Sequence, residues 1–372
     1  MLKNIDKLRR LTGLTIIDLY IIRKFLGTFF YSIALLISVV IIFDISEKID
    51  DFIDKQAPLS AIIFDYYLNF IPFFINLFSA LFTFISVVFF TSRLAARTEI
   101  IAILSSGISF RRLLRPYIIA ASFLVILTIY LANFLIPVLN IDLREFEKKY
   151  IKNPIKTRDI DIHMQISPGT FMYVESWDNS KNQGTRFSLE QFERGRMISK
   201  ITSDRITWDT ASSHWQIHDY ILRTIDSMNY QTLTRGKILD TAMTMNPAEF
   251  VIDVEDIKTM NYSQLRNFID RETLKGSKNI KVYEVEKYKR IAFPVSALIL
   301  TIIGVALSSR KIRGGIGMHL GLGIALTFSY ILFMQISSQF AIYGSLQPMA
   351  AVWMPNLFFG IIAVWLLKIA PK

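Results

Sequence analysis

The sequence predicts a polytopic α-helical membrane protein: six spans in a three-plus-three arrangement, with one all-β domain inserted between the trios. Three observations predict it. Hydrophobic side chains make up 52% of the 372 residues and gather into runs long enough to cross a hydrocarbon core of ~30 Å. Lysine and arginine recur in every second connection between those runs. One long polar stretch, 141–285, instead shows short alternating segments broken by turn residues.

The spans are expected at 25–43, 66–91, 115–137, 291–309, 316–337 and 349–367. In lipid each must be a helix, because only a helix satisfies its backbone hydrogen bonds within one segment. Lys3, Lys7, Arg9, Arg10, Arg23 and Lys24 precede span one. No small-residue cleavage site follows it, so it reads as a retained anchor. The next loop is acidic, with Asp44, Glu47, Asp50, Asp51 and Asp54 against Lys48 and Lys55. Arg93, Arg97, Arg111, Arg112 and Arg115 then flank the turn between spans two and three. Arg310, Lys311 and Arg313 follow span four, 338–348 carries no charge, and Lys368 and Lys372 close the chain. The positive-inside rule places both termini in the cytoplasm and the insert on the other side, the periplasm of a two-membrane bacterium. The domains are then 1–140, 141–285 and 286–372.

Within the insert, strands are expected at 171–177, 186–192, 198–208 and 215–225. Asp178-Asn179-Ser180, Gln183-Gly184 and Arg194-Gly195 read as turns. Such spacing suggests a sandwich, a jelly roll or an open barrel. A helix over 262–274 stops at Gly276, and another over 282–290 runs into span four.

The net charge of +11 suggests nucleic acid, but the excess sits beside the spans, where orientation explains it. The absence of cysteine excludes disulfides and thiolate chemistry. His214 and His218 share a strand face, yet no third ligand accompanies them, so no metal site is expected. No phosphate-binding lysine loop, G-x-S-x-G or H-E-x-x-H occurs, so no catalytic residues are expected.

The segment 97–109 between spans two and three is amphipathic. Ile100, Ile101, Ile103 and Leu104 oppose Arg97, Glu99 and the serines, and Gly107 ends the pattern. It reads either as a helix on the membrane surface or as one that docks in a partner's groove. Asp65, Asn69, Asn76, Asn133, Gln335 and Asn356 fall within or beside spans. They read as hydrogen bonds between helices or as a polar lining for a headgroup. His319, near the start of span five, reads as a packing residue.

Leu94-Ala95-Ala96-Arg97-Thr98-Glu99-Ile100, with Gly107-Ile108-Ser109 following, resembles the LptF/LptG family of lipopolysaccharide-transport permeases. The likeness continues at Lys289-Arg290-Ile291-Ala292-Phe293-Pro294 and Gly314-Gly315-Ile316-Gly317 and covers the whole chain. One departure is Leu104, where the family often has Arg or Gln.

The resemblance implies an inner-membrane permease subunit with a periplasmic β-jelly-roll domain, working as a heterodimer with a second LptF/LptG-type chain. Two copies of a cytoplasmic LptB-like ATPase would carry ATP-Mg; this chain would bind no cofactor. An LptC-like bitopic protein and an LptA-like bridge would continue the path of lipopolysaccharide to the outer membrane. Arg97, Glu99, Ile103, Leu104 and Gly107 are then the expected ATPase-coupling residues. Phe171, Tyr173, Ile198, Ile206 and Ile217 are candidates for the lipid path, or equally for β-core. Lys48 and Lys55 are candidate headgroup contacts; otherwise divalent ions or the partner chain supply the cations, or the lipid carries fewer phosphates. A motor is needed, since exposing acyl chains costs about 0.8 kcal/mol per CH₂. Gly315-Ile316-Gly317 leans towards the LptG-like member. The alternative is an ABC-like transmitter that relays ATPase motion to periplasmic proteins without moving lipid.

Overall fold

The computed structural model describes residues 14–151, 158–178, 181–210, 212–226, 228, 230–241, 243, 245, 254–277, 279–309 and 315–369. Lys3, Lys7, Arg9, Arg10, Arg310, Lys311, Arg313, Lys372, Asn179, Ser180 and Gly314, singled out above, lie outside them. The chain forms two compact units, one of residues 1–151 with 284–372 and one of 152–283.

Six helices of the first unit are long and apolar enough to span a membrane. Helix α1, Ile16–Asp54, begins with a reciprocal cap in which the Thr15 hydroxyl accepts from the Asp18 amide and the Asp18 carboxylate accepts from the Thr15 amide. At 39 residues it is about 58 Å long, far more than a hydrocarbon core requires. Hydropathy sees only the part in lipid, so the sequence placed a shorter span here. Helix α2 is Leu59–Ala96, α3 is Glu99–Ser105 and α4 is Phe110–Tyr150. After the insert come α6, Ile280–Ser308, α7, Gly315–Tyr343, and α8, Pro348–Ile369.

Two of these helices widen into a π-turn, at Ile62–Tyr67 in α2 and Leu131–Leu135 in α4. A π-turn displaces carbonyls from the regular pattern. The buried Asn69 amide donates to the Asp65 carbonyl at 2.8 Å, and the buried Asn133 amide to the Ile129 carbonyl at 2.9 Å. These two asparagines serve their own helices. Asn356 alone joins helices as the sequence suggested, donating to the Ala292 carbonyl at 2.8 Å and accepting from the Tyr330 hydroxyl at 2.9 Å. Gln335 is exposed, and His319 is buried.

Helix α2 belongs to both halves of the helical core. Val87, Phe90 and Leu94 pack with α1 and α4, while Ala80, Phe84 and Val88 pack with α6, α7 and α8. In lipid such packing rests on close van der Waals contact and interhelical hydrogen bonds rather than on exclusion of water.

Among its described residues the second unit holds six strands: β1 Arg158–Ser167, β2 Thr170–Asp178, β3 Gln183–Glu193, β4 Arg196–Asp209, β5 His214–Ile225 and β6 Gln231–Thr241. They form one antiparallel sheet in the plain order β1-β2-β3-β4-β5-β6. Gln183-Gly184, read from sequence as a turn, opens β3. Gly184 is required by packing: a Cβ there would lie 2.8 Å from the Ile206 side chain and 2.9 Å from that of Val174.

Strict alternation fails along one line of the sheet. Val174 and Trp177, Gly184 and Phe187, and Ile217 and Tyr220 are three residues apart, yet each pair faces the same core. Ile201 and Ile206, five apart, do likewise. Left-handed backbone at Arg186 (φ 48°) and Asp219 (φ 47°) marks where the alternation slips. Glu175 stands opposite Arg186 and bonds it at 2.9 Å. The slip keeps one face of the sheet apolar along the length of the strands.

After the sheet, α5, Tyr262–Lys275, starts at the Asn261–Gln264 cap and ends at Gly276 in a left-handed conformation. It packs Leu265, Phe268 and Ile269 with Ile257 and Tyr283.

Candidate coupling site and lipid-facing surfaces

The segment between α2 and α4 is bracketed by two left-handed residues. Thr98 (φ 60°) turns the chain out of α2, and Gly107 (φ 89°) turns it back towards α4. A threonine in that region costs of order 1–3 kcal/mol, strain that persists only where its surroundings fix it. Gly107 donates its amide to the Leu104 carbonyl at 3.1 Å. The Ser109 hydroxyl then caps α4, accepting from the Arg112 amide at 3.4 Å.

Between the turns, α3 has two sides. Ile100 is 1% exposed and belongs to the cluster of Leu94, Phe110, Leu113 and Tyr117. Ile103 and Leu104 pack half-buried against the same cluster. Of the five expected coupling residues, those two therefore face the chain's own core and hold the helix down. Arg97, Glu99 and Gly107 remain accessible, with the guanidinium 3.9 Å from the carboxylate. An ion pair that open is worth little to stability, so Glu99 is available to another cation. Ile101, 52% exposed, adds an apolar surface beside it.

Lys48 and Lys55 are both engaged. Lys48 Nζ bonds Asp44 Oδ1 at 2.7 Å, contacts the Tyr66 hydroxyl and lies 4.9 Å from the Tyr66 ring centre. Tyr67 donates to the other Asp44 oxygen at 3.1 Å. Phe52, Phe70 and Phe146 pack around these groups. Lys55 Nζ donates to the Ile151 carbonyl at 3.1 Å. Both candidate headgroup cations thus have acceptors within the chain, and each ammonium carries three N–H donors.

The five candidate lipid-path residues divide between the two sides of the sheet. Ile206 and Ile217, both 0% exposed, form the core with Met172, Val174, Trp177 and Trp215. Phe171 and Tyr173 alternate with Met172 and Val174 and so face the opposite way. There the Phe171 ring meets Phe192 at 5.7 Å and the Tyr173 ring meets His163 at 4.4 Å. Ile198, three residues before the core residue Ile201, also lies on the outer side. No single surface uses all five. His214 Nδ1 lies 2.6 Å from the Ser212 carbonyl and His218 Nε2 lies 2.8 Å from the Thr207 hydroxyl. Burial and the charge of Arg205 lower the His218 pKa below its ordinary value.

Sequence reasoning missed one pair. The Arg112 guanidinium grips Asp18 with two 2.7 Å bonds, from Nη1 to Oδ1 and from Nη2 to Oδ2. Thr15 and Asp18 do carry the spacing of a helix cap, but nothing in a linear sequence joins residues 94 apart.

Six apolar helices with a six-stranded sheet inserted between the third and fourth define a multi-pass membrane protein. Residues 19–369 match the family model of the lipopolysaccharide export system permease LptF/LptG, and the chain belongs to that family. It is thus a permease subunit of a lipopolysaccharide-exporting ABC transporter and has no catalytic activity of its own. The non-transporting transmitter is thereby set aside. No curated protein matches the chain.

Proposed function

We propose that this chain is the LptG-like half of a heterodimeric permease in a bacterial inner membrane, with both termini cytoplasmic and the insert periplasmic. Gly315-Ile316-Gly317 at the start of α7 supports the LptG-like assignment, and the alternation of basic and acidic loops supports the orientation. Two copies of an LptB-like ATPase carry ATP-Mg, and one meets this chain at α3. LptC-like and LptA-like proteins receive the lipid beyond the insert.

The observation that carries the coupling reading is the two-sided packing of α3. Its buried isoleucine fixes it to the helical core, while Glu99 remains open to a partner's cation. A helix held in this way transmits a push instead of yielding to it. Lipid passes along the apolar side of the sheet, the side of Ile206 and Ile217, because an acyl chain gains most from continuous apolar surface. Lys48 and Lys55, each with N–H donors beyond those its acceptors in the chain use, are the candidate headgroup contacts of this chain; the partner chain, bridging divalent ions or a lipid with fewer phosphates would supply the rest of the charge balance.

The test is Glu99→Ala in the complex purified with its genomic partners. Assembly and thermal stability are expected to hold within about 0.5 kcal/mol, as for surface substitutions generally. ATP-driven release of lipopolysaccharide should fall on the order of tenfold or more. Undiminished release from a fully assembled complex would overturn the coupling role.

A further inference from the structure

We propose that the Arg112–Asp18 pair is a positioning element that makes α1 move with the coupling segment. The inference rests on the coupling role of α3 given above. Arg112 lies three residues beyond Ser109, which caps α4 directly after the Gly107 turn. Its guanidinium grips Asp18 through two parallel 2.7 Å bonds, a planar fork that fixes angle as well as distance. Asp18 is 2% exposed and is part of the cap that starts α1, so its carboxylate holds Arg112 and its own helix end together. The Thr15 hydroxyl adds a contact to Nη2 at 3.5 Å. A second observation points the same way: Ile100 of α3 and Ile21 of α1 belong to one buried cluster. A load on α3 therefore reaches α1 by two routes, one through packing and one through the ion pair. Of these two routes the ion pair is the directional one, because a bidentate bond fixes an angle as well as a distance. The pair thus converts displacement of α3 into reorientation of α1.

The experiment compares the wild-type complex, purified with its genomic partners in proteoliposomes, with the double variant Asp18→Asn, Arg112→Gln. That variant keeps the shape of Asp18, shortens Arg112 to a neutral amide, leaves no buried charge and removes the charged fork. Arg112→Lys serves as a milder variant that retains the charge but not the bidentate geometry. The readout is lipopolysaccharide released per ATP hydrolysed, alongside ATPase rate and thermal midpoint. The expected result is near-normal ATP hydrolysis with the lipid-to-ATP ratio down roughly tenfold, and Arg112→Lys in between. A merely structural role would lower hydrolysis and release together, because less complex would be folded, and leave the ratio unchanged. An unchanged ratio overturns the proposal. If the wild-type chain brings no ATPase with it, the coupling reading itself fails, a distinct outcome that takes this inference with it.

Discussion

The two polar clusters on α1 hold it in different ways. Beside the coupling segment, one carboxylate meets one guanidinium, Asp18 with Arg112. Towards the other end of the helix, Asp44 shares its oxygens among Lys48, Tyr66 and Tyr67, with Phe52, Phe70 and Phe146 packed around them. The first is a single joint between helices, strong and directional, and that link is lost when either partner goes. The second is a network whose members cover for one another. Between the two, Phe25, Phe29 and Ile33 bury α1 in the helical core.

Breaking the joint should cost most. Arg112→Ala leaves the Asp18 carboxylate with only its Thr15 cap bonds, and the thermal midpoint of the purified chain should fall by the equivalent of about 2–4 kcal/mol. Asp44→Ala is expected to cost less, about 1–3 kcal/mol in the same measurement, because the aromatic pad survives. Equal losses from the two variants would dissolve the contrast between joint and network.

The insert allows the same contrast to be sharpened. Gly184 is a single tight point, and Gly184→Ala forces a Cβ against Ile206 and Val174, with about 1–3 kcal/mol lost in denaturant titration. The smallest effect concerns His218. Its folded-state pKa is lowered, so as pH falls below about 6.5 the unfolded chain takes up the proton first. Stability then declines with falling pH and levels off once the folded ring is protonated as well. His218→Gln should flatten that decline between pH 7.5 and 5.5, and an unaltered slope would assign it to other groups.

Much of this was legible in the sequence because it depends on local pattern. Apolar runs gave the six membrane helices, and alternation gave β2, β4, β5 and most of β3. Asn261 with Gln264, then Gly276, bounded α5. Strands β1 and β6 were missed, and both lie at sheet edges, where the pattern of burial is weakest. The Gln183-Gly184 turn was misread because glycine marks close packing as readily as a bend. That Phe171 and Ile217 lie on opposite sides of the sheet was not legible in the sequence. Which side a strand residue faces depends on alternation, and here the alternation slips at Arg186 and Asp219. Glu99 and Gly107 marked out the segment for which a coupling role is proposed. The half-buried state of Ile103 and Leu104, the acceptors of Lys48 and Lys55, and the Asp18–Arg112 joint all needed three-dimensional neighbours.

The most direct test of the account places a photo-crosslinking phenylalanine analogue on each side of the sheet, at Tyr220 facing the core and at Phe171 facing outward. Both sites already hold an aromatic ring, so the probe disturbs little. In cells expressing the chain with its genomic partners, lipopolysaccharide adducts are expected at Tyr220, rising with ATP turnover, and none at Phe171. Adducts at Phe171 with none at Tyr220, in a complex still hydrolysing ATP, would contradict the lipid route along the apolar side of the sheet.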